Sequence, residues 1–289
     1  MAKKILVIED EENLAQLIQA FLSKNGYQVT YISDGINSLD DIRKEGPDLI
    51  LTDLLLPRIH GFDICRTVKS DRELKDIPLI IMTAVYKNAI HKLEARKLGI
   101  KDFVEKPLNL DELLEKIQHF LGPGQTETIT TPPPLINRKS EPLPRTPHPE
   151  NQTNAKTATK PSEKVPIVKE AEMKEQMQLL QENYAGKLPN RILEMEKLWE
   201  SIVQKHNSAI LLTKLRREVH TLTGSGATFG FKEISDIARD LELQLDMIIA
   251  EGETTIDSRK DKIYKLLDNM RHHPIVSTEI EINRQGKIF

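Results

Sequence analysis

Cysteine, charge imbalance and long apolar runs are all missing or scarce in this chain. A single cysteine, Cys65, stands among 289 residues, which excludes an intramolecular disulfide and fits a reducing compartment. No apolar run approaches the ~20 residues that a membrane-spanning helix needs. The amino terminus, MAKKILVIEDEE, offers two lysines and then only four apolar residues before carboxylates begin, too few for a signal-peptide core. Neither sign of charge dominates: 41 basic residues face 44 acidic ones, a net charge of −3. That balance gives no reason to expect nucleic acid or an anionic membrane as partner. The expectation is a soluble cytoplasmic protein, long enough for two domains with separate cores.

Proline is present but unevenly placed. Ten of the sixteen prolines fall between Gly122 and Lys169, a stretch without one aromatic residue. Such a segment cannot bury enough apolar surface to offset its ordering entropy and reads as a disordered linker over 122–169. A flexible chain of that length spans roughly 35–40 Å, more if proline stiffens it, so it allows the flanking domains to meet without forcing them to.

Residues 1–121 alternate between two patterns. KILVI, YQVTYI, PDLILTD, PLIIMT and DFVEK read as strands, several apolar on both faces, as in a parallel sheet covered by helices. Helical stretches lie between them, such as ENLAQLIQAFLSKNG with Leu14, Leu17, Ile18, Phe21 and Leu22 on one stripe. Five such units predict a (βα)5 doubly wound α/β domain. Residues 170–275 instead carry five amphipathic helical patterns, predicting an all-α antiparallel bundle. With 15 basic and 18 acidic residues there, the bundle is no basic DNA reader. The tail, 276–289, contains STEIEINRQGKIF, which alternates like a strand and reads as the start of a further module.

In an open α/β sheet, ligands bind at the carboxyl ends of the strands. Glu9 and Asp10 follow the first strand, Asp53 closes the third, Thr83 the fourth, and Lys106 follows the fifth. One carboxylate alone could be a helix cap or a solvated loop residue. Three converging carboxylates repel one another unless a hard cation such as Mg²⁺ sits between them. The hydroxyl and the ammonium on the same rim suit a phosphoryl group.

This segment, 1–121, resembles a response-regulator receiver domain in the ED pair 9–10, TDLLLP around Asp53, RIHGFDICR, Thr83-Ala84 and Lys106-Pro107. The resemblance implies Asp53 as phosphoacceptor, with Mg²⁺ held by Glu9, Asp10, Asp53 and the Leu55 backbone carbonyl. It further implies Thr83 and Lys106 on the phosphoryl oxygens, and Phe103, with Thr83, as the conformational switch.

The second feature is REVHTLTGSGATFGF, 217–231. Leu212, Leu215, Val219 and Leu222 form the apolar stripe, and His220 lies about 100° past Val219, at its edge. That position favours a partly exposed imidazole. Gly224 lies one turn further on the same surface. A helical glycine costs ~1 kcal/mol relative to alanine but clears room for an approaching protein; a glycine past the helix end is merely a stop signal. A phosphate-binding loop fails on context, since no strand precedes the glycines and no GK[ST] follows.

VHTLTGSGATFGF resembles the active helix of a histidine-containing phosphotransfer (HPt) domain, and the surrounding bundle matches that family's size. The resemblance implies His220 as phosphoacceptor and Gly224 as the docking clearance. Thr223 stands where many members carry lysine, so Arg216 and Arg217 are the expected local cations. Together the two resemblances imply a two-component phosphorelay intermediate without an ATP-binding kinase site. A sensor histidine kinase, or other receiver and HPt proteins, would be its partners. The alternatives are a phosphorylation-switched binding module whose halves serve separate partners, and a phosphate sink in which Asp53 drains a kinase.

Overall fold

In the computed structural model, residues 1–33, 35, 38–84, 95–100, 102–124, 166–204 and 208–278 are described, except for the side chains of 166–173 and 208. Strands β1 (Lys4–Ile8), β2 (Gln28–Ile32), β3 (Leu49–Asp53), β4 (Leu79–Thr83) and β5 (Asp102–Glu105) form one sheet in the order β2-β1-β3-β4-β5. Every pairing is parallel. β3 and β4 are buried along their whole length, and β1 from its second residue onward. This explains their unbroken apolar runs: helices cover both faces, so neither face can be polar.

Helices α1 (Glu12–Lys24), α2 (Ser38–Glu45), α3 (Gly61–Ser70) and α4 (Leu110–Leu121) belong to this half. The side chain of Glu11 caps α1 by accepting the Asn13 and Leu14 amides. The stripe expected from sequence is the one buried: Leu14, Leu17, Ile18 and Leu22 are covered, with Phe21 packed beside them.

The second half holds α5 (Pro166–Val203), α6 (Ser208–Ser225), α7 (Lys232–Glu251), the short 3₁₀ turn Glu253–Thr255 and α8 (Ile256–Arg271). The expected first two helices are one continuous helix with Pro189 inside it. An internal proline costs a helix about 3 kcal/mol. Here its neighbours Leu188 and Ile192 are both fully buried, and that packing holds the helix together across the break that the sequence suggested. Trp199, also on α5, is buried and meets the Tyr264 ring edge-on with centroids 6.3 Å apart.

Of the expected linker, residues 125–165 lie outside the described set, and α5 already covers 166–169. Most of the tail read as a strand lies beyond the described residues. Residues 274–278 form a helical turn, in which the Ser277 amide donates to the His273 carbonyl, and 279–289 lie outside the described residues. No helix among the described residues is long and apolar enough to cross a membrane.

The two halves are in contact. α1 packs against α5, and the apolar cluster on the α1/α4 side of the sheet is continuous with the core of the bundle.

Candidate functional site

Sheet register builds the first part of the site. Ile8 pairs with Thr52, so Glu9 and Asp10 leave β1 level with Asp53 at the end of β3. Thr83 closes β4, one residue past the pair that Met82 forms with Asp53 on β3, and lies opposite Glu105. The Lys106 amide donates to the Thr83 carbonyl at 2.9 Å, which anchors the loop leaving β5. From there the Lys106 ammonium donates to Glu9 Oε2 and to Asp53 Oδ2, each at 2.7 Å. The Leu55 amide donates to Asp53 Oδ1 at 3.2 Å. Glu9, Asp53, Thr83 and Lys106 are all buried, and Leu55 and Phe103 are half-buried.

Gly61 permits this arrangement. A methyl group on it would lie 2.3 Å from the Asp53 carbonyl oxygen and 2.9 Å from Leu54 Cα. Only glycine lets α3 begin against the end of β3, where its amide donates to the Leu54 carbonyl at 2.8 Å.

The pocket carries more negative charge than its own cation offsets. Burial pushes the Glu9 carboxyl up to about 8, with Asp53 and Asp10 adding to the effect against the pull of Lys106. Burial, then Asp53, pushes Asp10 up to about 6. For Asp53 burial also acts upward, but Lys106, His220 and the hydrogen bonds from Lys106 and the Leu55 amide outweigh it, and the net shift is downward. Asp53 is thus the member of the trio held in its ionised form. One oxygen from each of Glu9, Asp10 and Asp53 lies within 4.8 Å of the others, and Asp10 Oδ1 is buried without a hydrogen-bond partner. An all-oxygen donor set with excess negative charge and an orphaned carboxylate oxygen fits a small hard cation such as Mg²⁺.

The second part is His220 on α6. Its Nδ1 hydrogen-bonds Glu242 Oε1 on α7 at 2.6 Å. A carboxylate accepts, so Nδ1 carries a proton, which in the neutral ring leaves the lone pair on Nε2. Nε2 is buried and has no hydrogen-bond partner. The imidazole is 2% exposed, against the partial exposure expected from its place on the helix. The reason is intramolecular: the sheet domain sits over it. Gly224, one turn along, faces Lys106, whose Cδ would be 2.9 Å from an added methyl, with Ala84 Cβ at 3.9 Å.

The two readings of the glycines therefore divide. Gly224 lies within α6 and faces Lys106, whereas Gly226 lies just past the helix end at Ser225. Of the two expected cations, Arg217 is within electrostatic reach of Asp10. Arg216 is committed elsewhere, donating to Asp246 at 2.6 Å and lying 3.7 Å from Glu242.

Sequence reasoning missed Glu242. The signal was present: on α7 it falls among Ile234, Ala238, Leu241, Leu245 and Ile248, the buried stripe, and a carboxylate on an apolar stripe needs a partner.

Two further contacts flank the seam. The Leu108 amide donates to Thr228 Oγ1 at 2.9 Å, and the Lys187 ammonium donates to Asn13 Oδ1 at 3.2 Å.

Two protein families match the chain: the response regulator receiver domain over residues 5–118 and the Hpt domain over 171–272. Among solved structures, it is similar to the signal receiver domain of a signal transduction histidine kinase from Syntrophus aciditrophicus, with 30% identity and a TM-score of 0.39. That match covers 45% of this chain and 98% of that one. A chemotaxis response regulator of Vibrio cholerae is 26% identical with a TM-score of 0.40, covering 42% of this chain and 100% of that one. The receiver domain of a Pseudomonas aeruginosa PAO1 sensor histidine kinase, solved with a magnesium ion coordinated in the active-site cleft, is 28% identical. Its TM-score is 0.39, and the match covers 42% of this chain and 99% of that one.

Proposed function

Because the chain belongs to the response regulators of two-component signalling, with a receiver domain followed by an Hpt domain, we propose that it is a phosphorelay intermediate in which Asp53 and His220 are successive phosphoacceptors. The observation that carries this reading is the buried, unpartnered Nε2 of His220, within electrostatic reach of Asp53 across the seam from Lys106.

In the first step an Asp53 carboxylate oxygen attacks the phosphorus of a phosphorylated donor. The bond to the donor breaks, and Asp53 carries an acyl phosphate. In the second, His220 Nε2 attacks that phosphorus, the bond to the Asp53 oxygen breaks, and Asp53 leaves as a carboxylate that Lys106 can stabilise. Positive charge develops on the imidazole as it attacks, and the Glu242 carboxylate on Nδ1 offsets it. Thr83 is a hydroxyl donor for a phosphoryl oxygen. Glu9, Asp10, Asp53 and the Leu55 carbonyl would hold Mg²⁺, which supplies charge neutralisation to the transferring group. Positioning and charge neutralisation supply most of what phosphoryl transfer requires. Upstream and downstream partners are histidine kinases or other receiver and Hpt proteins.

The test loads the chain from a small phosphodonor with Mg²⁺ and sorts the bound phosphate by stability. Acyl phosphate is lost in alkali, whereas phosphohistidine survives it. An alkali-stable pool that requires both Asp53 and His220, measured with Asp53→Ala and His220→Gln, is the expected result. A pool that survives either substitution would overturn the reading.

A further inference from the structure

We infer that the receiver and the Hpt bundle of one chain close on each other as a transfer pair, held on its flanks by contacts outside the chemistry, and that an outside partner reaches Asp53 only when this closure opens. The inference rests on the Asp53–His220 reading for its purpose but not for its existence.

Three contacts define the closed face. At its centre Gly224 lies against the Lys106 side chain, whose ammonium is pinned between Glu9 and Asp53. On one flank, Thr228 in the turn after α6 accepts the Leu108 amide, two residues beyond Lys106. On the other, Lys187 of α5 donates to Asn13 of α1. Neither Thr228 nor Lys187 touches a phosphoacceptor, yet together they fix the orientation of α6 over the ends of the strands. Apolar packing of α1 against α5 lies beneath them. An outside kinase or Hpt helix would need the surface that α6 occupies.

The occupant is the same chain and not a second copy. From the end of α4 at Leu121 to the start of α5 at Pro166, 44 residues intervene. A chain of that length reaches well over 100 Å when extended, so it imposes no strain on closure. A covalent tether of this length gives an effective concentration approaching the millimolar range. At about 1 μM protein, closure within the chain then outcompetes pairing between chains by about 100-fold to 1000-fold.

The test uses the full chain. Transfer from Asp53 to His220 is expected to keep its rate over a hundredfold dilution. A mixture of Asp53→Ala and His220→Gln chains should form phosphohistidine at least about 100-fold more slowly. A rate proportional to concentration would place the pair between chains and overturn the inference.

Thr228→Val combined with Lys187→Ala should leave loading of Asp53 by a small phosphodonor unchanged. It should slow internal transfer about tenfold or more, and speed phosphate exchange with a separately added receiver domain. Thr228→Ser, which keeps the hydroxyl, should restore the contact on its flank. Wild-type rates for the double variant in both assays would refute the contact set.

Amide exchange at Leu108 reads closure without phosphate. It should be slow in the unphosphorylated chain and accelerate with Thr228→Val. Fast exchange in the unmodified chain overturns closure. Slow exchange in a chain that never forms phosphohistidine removes the transfer reading and leaves closure standing.

Discussion

Glu242 offers the most discriminating perturbation of the proposed chemistry. Its carboxylate and the His220 ring are both almost wholly buried and joined at 2.6 Å. A charge-assisted hydrogen bond of this kind contributes about 1.5–3 kcal/mol. Attack by Nε2 moves positive charge onto the ring, so the bond strengthens on the way to the transition state. Glu242→Gln keeps an acceptor but removes the charge. A loss of about 1–1.5 kcal/mol slows transfer roughly 5-fold to 12-fold. Glu242→Ala leaves the Nδ1 proton without a partner, and a loss of about 2–3 kcal/mol slows transfer about 30-fold to 150-fold. The assay is rapid-quench measurement of alkali-stable phosphate after loading Asp53, with Asp53 loading as the internal control. Nitrogen chemical shifts of the His220 ring should show the proton on Nδ1 in the unmodified chain and a tautomer mixture in Glu242→Ala. If both variants transfer within about twofold of the unmodified rate, Glu242 does not act on the imidazole.

Four other outcomes follow from the geometry. Asp10 is pushed up to about 6 from the usual 3.8, so the folded state binds this proton more tightly than the unfolded chain. The ionised group therefore costs ~2–3 kcal/mol above about pH 6, a cost that disappears as the pH falls through that value towards 4. Asp10→Asn should raise the thermal midpoint at neutral pH and abolish most of the further rise that Mg²⁺ produces, as calorimetry would read. Gly61→Ala places a methyl 2.3 Å from a carbonyl oxygen, and should cost at least ~2 kcal/mol in denaturant melts while impairing Asp53 loading. Gly224→Leu presses on a lysine with no room to yield; a displacement of about 1 Å should cost transfer roughly 100-fold, while Asp53 loads normally. Burial pushes the Cys65 thiol up to about 12, so it should resist thiol reagents at about pH 8 until unfolding exposes it.

The receiver half was legible because its elements carry their own signals. Buried parallel strands are apolar throughout, and Asp53, Thr83 and Lys106 stand where those runs end. The bundle was less so. Pro189 predicted a break that Leu188 and Ile192 close by packing, a tertiary effect with no local signature. The burial of His220 was illegible for a related reason: helix periodicity orients a side chain within its own bundle and says nothing about a second domain laid over it. Gly224 hinted at such a surface, but not that Lys106 of the same chain would fill it. Glu242 was readable, as a carboxylate on an apolar stripe, though only the fold pairs it with the histidine.

Trp199 turns this architecture into an optical convenience. It is the sole tryptophan of the chain and lies buried in the bundle. Emission excited at the red edge of the absorption band therefore comes from the Hpt half alone, whereas far-ultraviolet dichroism sums both halves. Where the halves unfold as one cooperative unit, the two signals trace the same denaturation curve. Where the seam is cut, as by Thr228→Val with Lys187→Ala, they should separate, so the strength of the seam can be read without a label.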